Sequence, residues 1–90
     1  MQNATAMIDM EGSRAMAAFR QFAEGFGRPV TQDAGGLTVT LMRGTLSVSP
    51  KGAGSTIRIE TPDDAALQFI RDMLVDRLGE MGLSPDWQDD

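Results

Sequence analysis

The sequence predicts an α+β domain of two layers: an antiparallel sheet of four to five strands with two helices on one face, in the order β-α-β-β-β-β-α. Three observations carry that expectation. Short segments between residues 30 and 60 alternate apolar and polar side chains, the period of a half-buried strand. Two longer segments, one on each side of that block, repeat apolar residues at helical spacing. Gly, Asp and Pro cluster between the alternating runs, where turns need their backbone geometry. A sheet with one apolar face must bury it, and two amphipathic helices can do so.

The elements follow in order. Residues 4–10 (ATAMIDM) alternate as a strand, with Ala6, Ile8 and Met10 on one side. Glu11-Gly12 turns the chain, and Ser13 caps a helix whose stripe is Met16, Phe19, Ala23 and Phe26, with Phe22 at its edge. Arg20 and Glu24 pair on its wet flank, and Gly25, Gly27 and Pro29 end it. Val30-Thr31-Gln32 is a brief strand, and Asp33-Ala34-Gly35-Gly36 a turn. Leu37, Val39 and Leu41 form one apolar face, Leu46 and Val48 the next, with Arg43-Gly44 as a two-residue connection. Residues 50–55 (PKGAGS) read as a loose loop before Ile57 and Ile59. Thr61 then caps a second helix with Pro62 at its first position and Asp63 and Asp64 facing its positive end. Leu67, Ile70, Leu74, Leu78 and Met81 form its buried stripe, and the helix ends at Gly79 or Gly82. Residues 83–90 are an acidic tail that holds the only Trp, Trp87.

Ninety residues make one domain, 1–90, with enough chain to bury a core without staples. No apolar run is long enough to cross a bilayer, and the N-terminus has no signal-peptide pattern, so a cytoplasmic protein without membrane contact is expected. The charge balance, 8 Lys+Arg against 13 Asp+Glu, disfavours nucleic acid as a partner. Removing Asp86, Asp89 and Asp90 leaves the body nearly balanced, so a local basic patch is still allowed. The chain has no His, Cys or Tyr. That excludes thiolate nucleophiles, Ser-His-Asp or Cys-His machinery, and zinc centres built on His or Cys. The expected role is therefore non-catalytic, with no cofactor.

The Phe22-x-x-Gly25-Phe26 stretch, the Gly36-x4-Leu41-x2-Gly44-x-Leu46-x-Val48 sheet core, the Thr61-Pro62-Asp63 helix start and the late Trp87 together resemble a bacterial family. Its members are small domains of unknown function, found alone or fused to siderophore-interacting flavoproteins. The resemblance covers nearly the whole chain. It implies an accessory role beside iron–siderophore flavin reductases. The element order also looks like the TATA-binding-protein-like β-α-β4-α fold, shared with the last domain of phosphohexomutases. Members usually carry His near the end of the first helix, and this chain has none. Neither likeness carries a functional residue over to this chain.

Candidate binding residues fall in two sets. Phe69 lies about 160° around the second helix from Leu67, away from the core stripe, with Met73 beside it. Either a protein partner or a second copy covers these two, or Trp87 folds back over Phe69. Met42, Arg43 and Arg58, with Lys51, are expected on the outer sheet face or its rim, as a contact surface for a partner chain or an anion. The alternative function is binding or processing of a phosphorylated small molecule. Lys51, Gly52, Gly54, Ser55 and Thr56 would then cradle the anion through backbone N–H groups and hydroxyls. That loop lacks Walker spacing and leads into a strand. Asp72, Asp76 and Glu80 share a helix ridge and read as a solvated face.

Overall fold

A computed structural model describes residues 2–25, 27–33, 35–41 and 43–88. It has the expected α+β architecture, with a six-stranded antiparallel sheet. The elements are β1 (Gln2–Ile8), α1 (Gly12–Gly25), β2 (Val30–Asp33), β3 (Gly36–Leu41), β4 (Gly44–Lys51), β5 (Gly54–Thr61), α2 (Asp64–Glu80) and β6 (Asp86–Gln88). The strand order is β2-β3-β4-β5-β1-β6. Hairpins join β2 to β5 as a meander, and β1 returns to the far side of β5.

Alternation determines which face is buried. Ala4, Ala6, Ile8, Leu37, Val39, Leu46, Val48, Ile57 and Ile59 point to one side and are shielded from solvent. Helix α1 lies over β3 and β4, and α2 over β5 and β1. Phe19 and Ala23 of the first helix, and Ile70, Leu74 and Leu78 of the second, close the core. Register carries this consistency across the sheet: Val39 faces Leu46, which faces Ile59, which faces Ala4. The opposite face bears Thr5, Thr38, Ser47, Thr56 and Arg58. There the Thr56 hydroxyl donates to the Met7 sulfur at 3.2 Å.

Several boundaries differ from expectation, each for a local reason. Glu11, not Ser13, caps α1. Its backbone carbonyl accepts from Ala15 N–H at 2.9 Å, and its Oε1 accepts from Ser13 N–H at 3.0 Å. The Ser13 amide hydrogen bond holds the Glu11 carboxyl below its ordinary pKa, because it favours the ionised acceptor. Arg20 donates to Gln32 on β2 rather than pairing with Glu24. Leu41 pairs directly with Gly44, so Gly44 belongs to β4 and not to the β3–β4 connection. Gly44 begins β4 at φ +148, and a Cβ there would sit 2.1 Å from the Glu60 carbonyl oxygen. Residues 50–55 are not a loose loop. Pro50 pairs with Ser55 and Lys51 with Gly54, leaving a two-residue turn with Gly52 at φ +61, the type II′ position for Gly. The Phe26 contribution to the first stripe lies outside the described residues.

Thr61 ends β5 instead of capping α2. It is buried, and its hydroxyl donates to the Asp63 carbonyl at 2.8 Å. Asp63 is the cap: its Oδ1 accepts from Ala66 N–H at 2.7 Å. At the other end Gly82 takes φ +76, its N–H bonding Gly79 O, while Leu83 N–H bonds Leu78 O. This is a Schellman stop, and it turns residues 83–88 back toward β1. The tail there forms β6, whose Trp87 faces Ala6 across the ladder and so lies on the helix side. Arg71 of α2 stands 4.4 Å from the centre of its ring.

Candidate functional site: an apolar furrow between the helices

The two helices pack chiefly on the sheet rather than on each other. A furrow runs between them. Its wider part, about 530 Å³, is lined by Leu41 at the end of β3, Phe22 of α1, and Ala66, Phe69, Ile70 and Met73 of α2. Arg28, Arg43 and Asp63 complete it, and its other lining residues are apolar. A second groove of about 300 Å³ shares Phe22 and Met73 as walls with the first and is lined further by Phe19, Leu46, Leu74, Leu78 and Met81. The two linings together follow α2 from Ala65 to its C-cap residue Met81, about 24 Å at the usual helical rise.

Local sequence explains each wall. The α2 stripe turns Ile70, Leu74 and Leu78 into the core, and Phe69 falls outside it, 68% exposed. Met73 lies between stripe and rim and is half-buried. Asp63 uses both carboxylate oxygens. One caps α2, and the other meets Arg43 Nη2 at 2.9 Å, which pins the β3–β4 turn to the helix start. Arg77 lies 5.2 Å from the Phe22 ring centre and pairs with Glu80 at 3.3 Å.

The structure divides the sequence-predicted residues. Phe69, Met73 and Arg43 come together in this furrow. Met42 lies outside the described residues. Arg58 does not join Arg43: it is on the outer face, paired with Glu60 at 3.2 Å. Lys51 is at the opposite end of β4 from Arg43, so the three cations form no cluster. Trp87 does not cover Phe69, because its ring is held beneath Arg71. Among the anion-loop residues, Ser55 is buried and its hydroxyl donates to the Met10 carbonyl at 2.7 Å. Thr56 points to the other face, while Gly52 and Gly54 serve the tight turn. Asp72 accepts from Gln68 at 2.9 Å, and among the described residues no acidic group is arranged to hold a metal ion. Sequence reasoning missed Phe22, Leu41 and Arg28. Phe22, at the edge of its own stripe, was the available signal.

The arrangement defines a two-layer α+β domain with one polar sheet face and a partly open apolar furrow on the other. No protein family matches the sequence, and no curated protein does. Among solved structures, the chain is similar to the NMR structure of PA4090 from Pseudomonas aeruginosa. Identity is 16%, the TM-score is 0.72, and the match covers 98% of this chain and 96% of that one. At that identity the likeness establishes a shared fold. Among the described residues, no helix is long and apolar enough to cross a membrane.

Proposed function

We propose that this chain is a small non-catalytic binding module whose working surface is the furrow between α1 and α2. One observation carries the reading: Phe69 and Met73 of α2 and Arg43, from a distant stretch of sequence, line a single groove that is otherwise largely apolar. Small-ligand sites share that character, a concave apolar lining with few placed polar groups, and span about 300–1,000 Å³. The lining's polar side chains are Arg28, Arg43 and Asp63 in the wider part and Gln21, Arg77 and Glu80 in the narrower one. None of these supplies an activated nucleophile, which favours holding a guest over transforming one.

The sequence resemblance supplies the setting: a bacterial, cytoplasmic accessory to flavin reductases of iron–siderophore metabolism. The element order also looks like the TATA-binding-protein-like β-α-β4-α fold. The net charge of −5 speaks against the nucleic-acid role that such a likeness would suggest.

The test is a neutral hydrophobic dye, N-phenyl-1-naphthylamine, whose emission rises on leaving water. Emission should rise with the wild-type chain and with the outer-face variant Thr38→Ala, and fall sharply with Phe69→Ser/Met73→Ser. Equal emission from the double variant and wild type, or none from either, would remove the furrow as the working surface. A second reading rests on the exposure of Phe69: a protein partner or second copy caps the furrow. Solution mass from light scattering distinguishes self-association, as a dimer that Phe69→Ser converts to monomer.

A further inference from the structure

We infer that the guest of this furrow is a single-chain amphiphile: an unbranched apolar chain ending in a carboxylate, seated with its head at Arg28. The inference rests on the furrow being the working surface, and it adds the chemistry of the guest.

The argument is one of shape and charge balance. The furrow is elongated, and the apolar side chains along it that still meet solvent are Leu41, Phe69, Phe22, Met73 and Met81, above Ile70, Leu74 and Leu78, which are already buried. A compact ligand would leave several of those side chains wet, whereas an extended chain reaches them all. The charges along it are asymmetric. Arg43 is matched by Asp63, and Arg77 by Glu80. Among the described residues, no carboxylate reaches ion-pair distance of Arg28. Arg28 is half-buried, and it lines the wide part of the furrow beside Leu41. Its position follows from the backbone. Its N–H bonds the Ala23 carbonyl at 2.9 Å, and the next residue, Pro29, accepts from Thr40 N–H at 3.0 Å, so Arg28 stands level with the end of β3. Among the described residues that line the furrow, Arg28 is the one cation without an ionic partner, and it complements a guest with one anionic end. A docked amphipathic helix would be expected to use charges along the whole rim, and those other pairs are already satisfied within the chain. A planar guanidinium also suits a carboxylate, because it can donate two parallel hydrogen bonds to it.

The experiment titrates the isotope-labelled chain with three probes of equal chain length, each below its micellar concentration: dodecanoate, dodecanol and dodecyltrimethylammonium. Amide shifts are read by NMR, and light scattering is recorded on the same samples. Dodecanoate should bind most tightly and move the amides of Leu41, Ala66 and Met73. Arg28→Gln should weaken dodecanoate about tenfold, the size of a lost charged contact, and leave dodecanol unchanged. Arg28→Lys should retain much of the preference for the anion and shows that the position itself tolerates change. Equal binding of dodecanoate and dodecanol, or tighter binding of the cation, would overturn the charge assignment while leaving the furrow in place. If no probe moves furrow amides, both the guest and the furrow reading fall. A dimer that Phe69→Ser dissociates would identify a second copy as the occupant and also overturn the inference.

Discussion

Asp63 shows how one side chain can serve two elements, and the magnitudes say which service matters more for stability. Its cap on Ala66 N–H satisfies a helix-end donor at 2.7 Å, and an N-cap is worth about 1 kcal/mol. Its pair with Arg43 joins side chains that are 37% and 68% exposed. Such a pair contributes about 0–1 kcal/mol, since water and salt screen it. Asp63→Ala loses both and should lower the unfolding free energy in urea by about 1–2 kcal/mol. Asp63→Asn keeps a capping oxygen and should cost less than half as much. An Asn variant as weak as the Ala variant would mean that the ion pair, not the cap, holds the β3–β4 turn to α2.

Elements with strong internal pattern were legible in the sequence, and those defined by neighbours were not. The strands through Leu37, Val48 and Ile59 each announce themselves by alternation, and both helices by their stripes. Thr61-Pro62-Asp63 contains two residues able to cap. Only the burial of Thr61 at the end of β5 passes the role to Asp63. Strand β6 is three residues that alternate too briefly to read, and it exists because β1 offers an unpaired edge. Its anchor is Trp87, half-buried under Arg71. Removing that ring in Trp87→Ala forfeits part of its burial and the cation–π contact, together about 1–2 kcal/mol. The loss should be local. Amides of β1 should exchange faster with solvent, while those of β3 and β4 keep their protection. Unchanged β1 exchange would show that β6 holds its place without the tryptophan.

At the scale of the whole molecule, the furrow arises from how two helices share one sheet. Phe69 was legible as a ring on the wrong side of its helix, and Met73 as its neighbour. Their union with Arg43, Leu41 and Phe22 was not, because it depends on the gap between helices that each pack on the sheet alone. If the furrow is the working surface proposed above, this layout separates stability from recognition, and the separation can be measured. Leu46 is 1% exposed on a central strand and packed within the core. Leu46→Ala should cost about 2–5 kcal/mol through lost burial and an unfilled cavity, a large share of the roughly 5–15 kcal/mol that holds a small domain folded. Phe69, 68% exposed, touches solvent over most of its ring. Phe69→Ser should therefore shift the unfolding free energy by less than about 0.5 kcal/mol, the usual range for a surface site, while reducing binding in the furrow. Paired denaturation and dye-binding measurements on the two variants decide the matter. A Phe69→Ser loss above about 1.5 kcal/mol would show a ring that supports the fold, and the furrow rim would lose its claim to be a surface kept open for a guest.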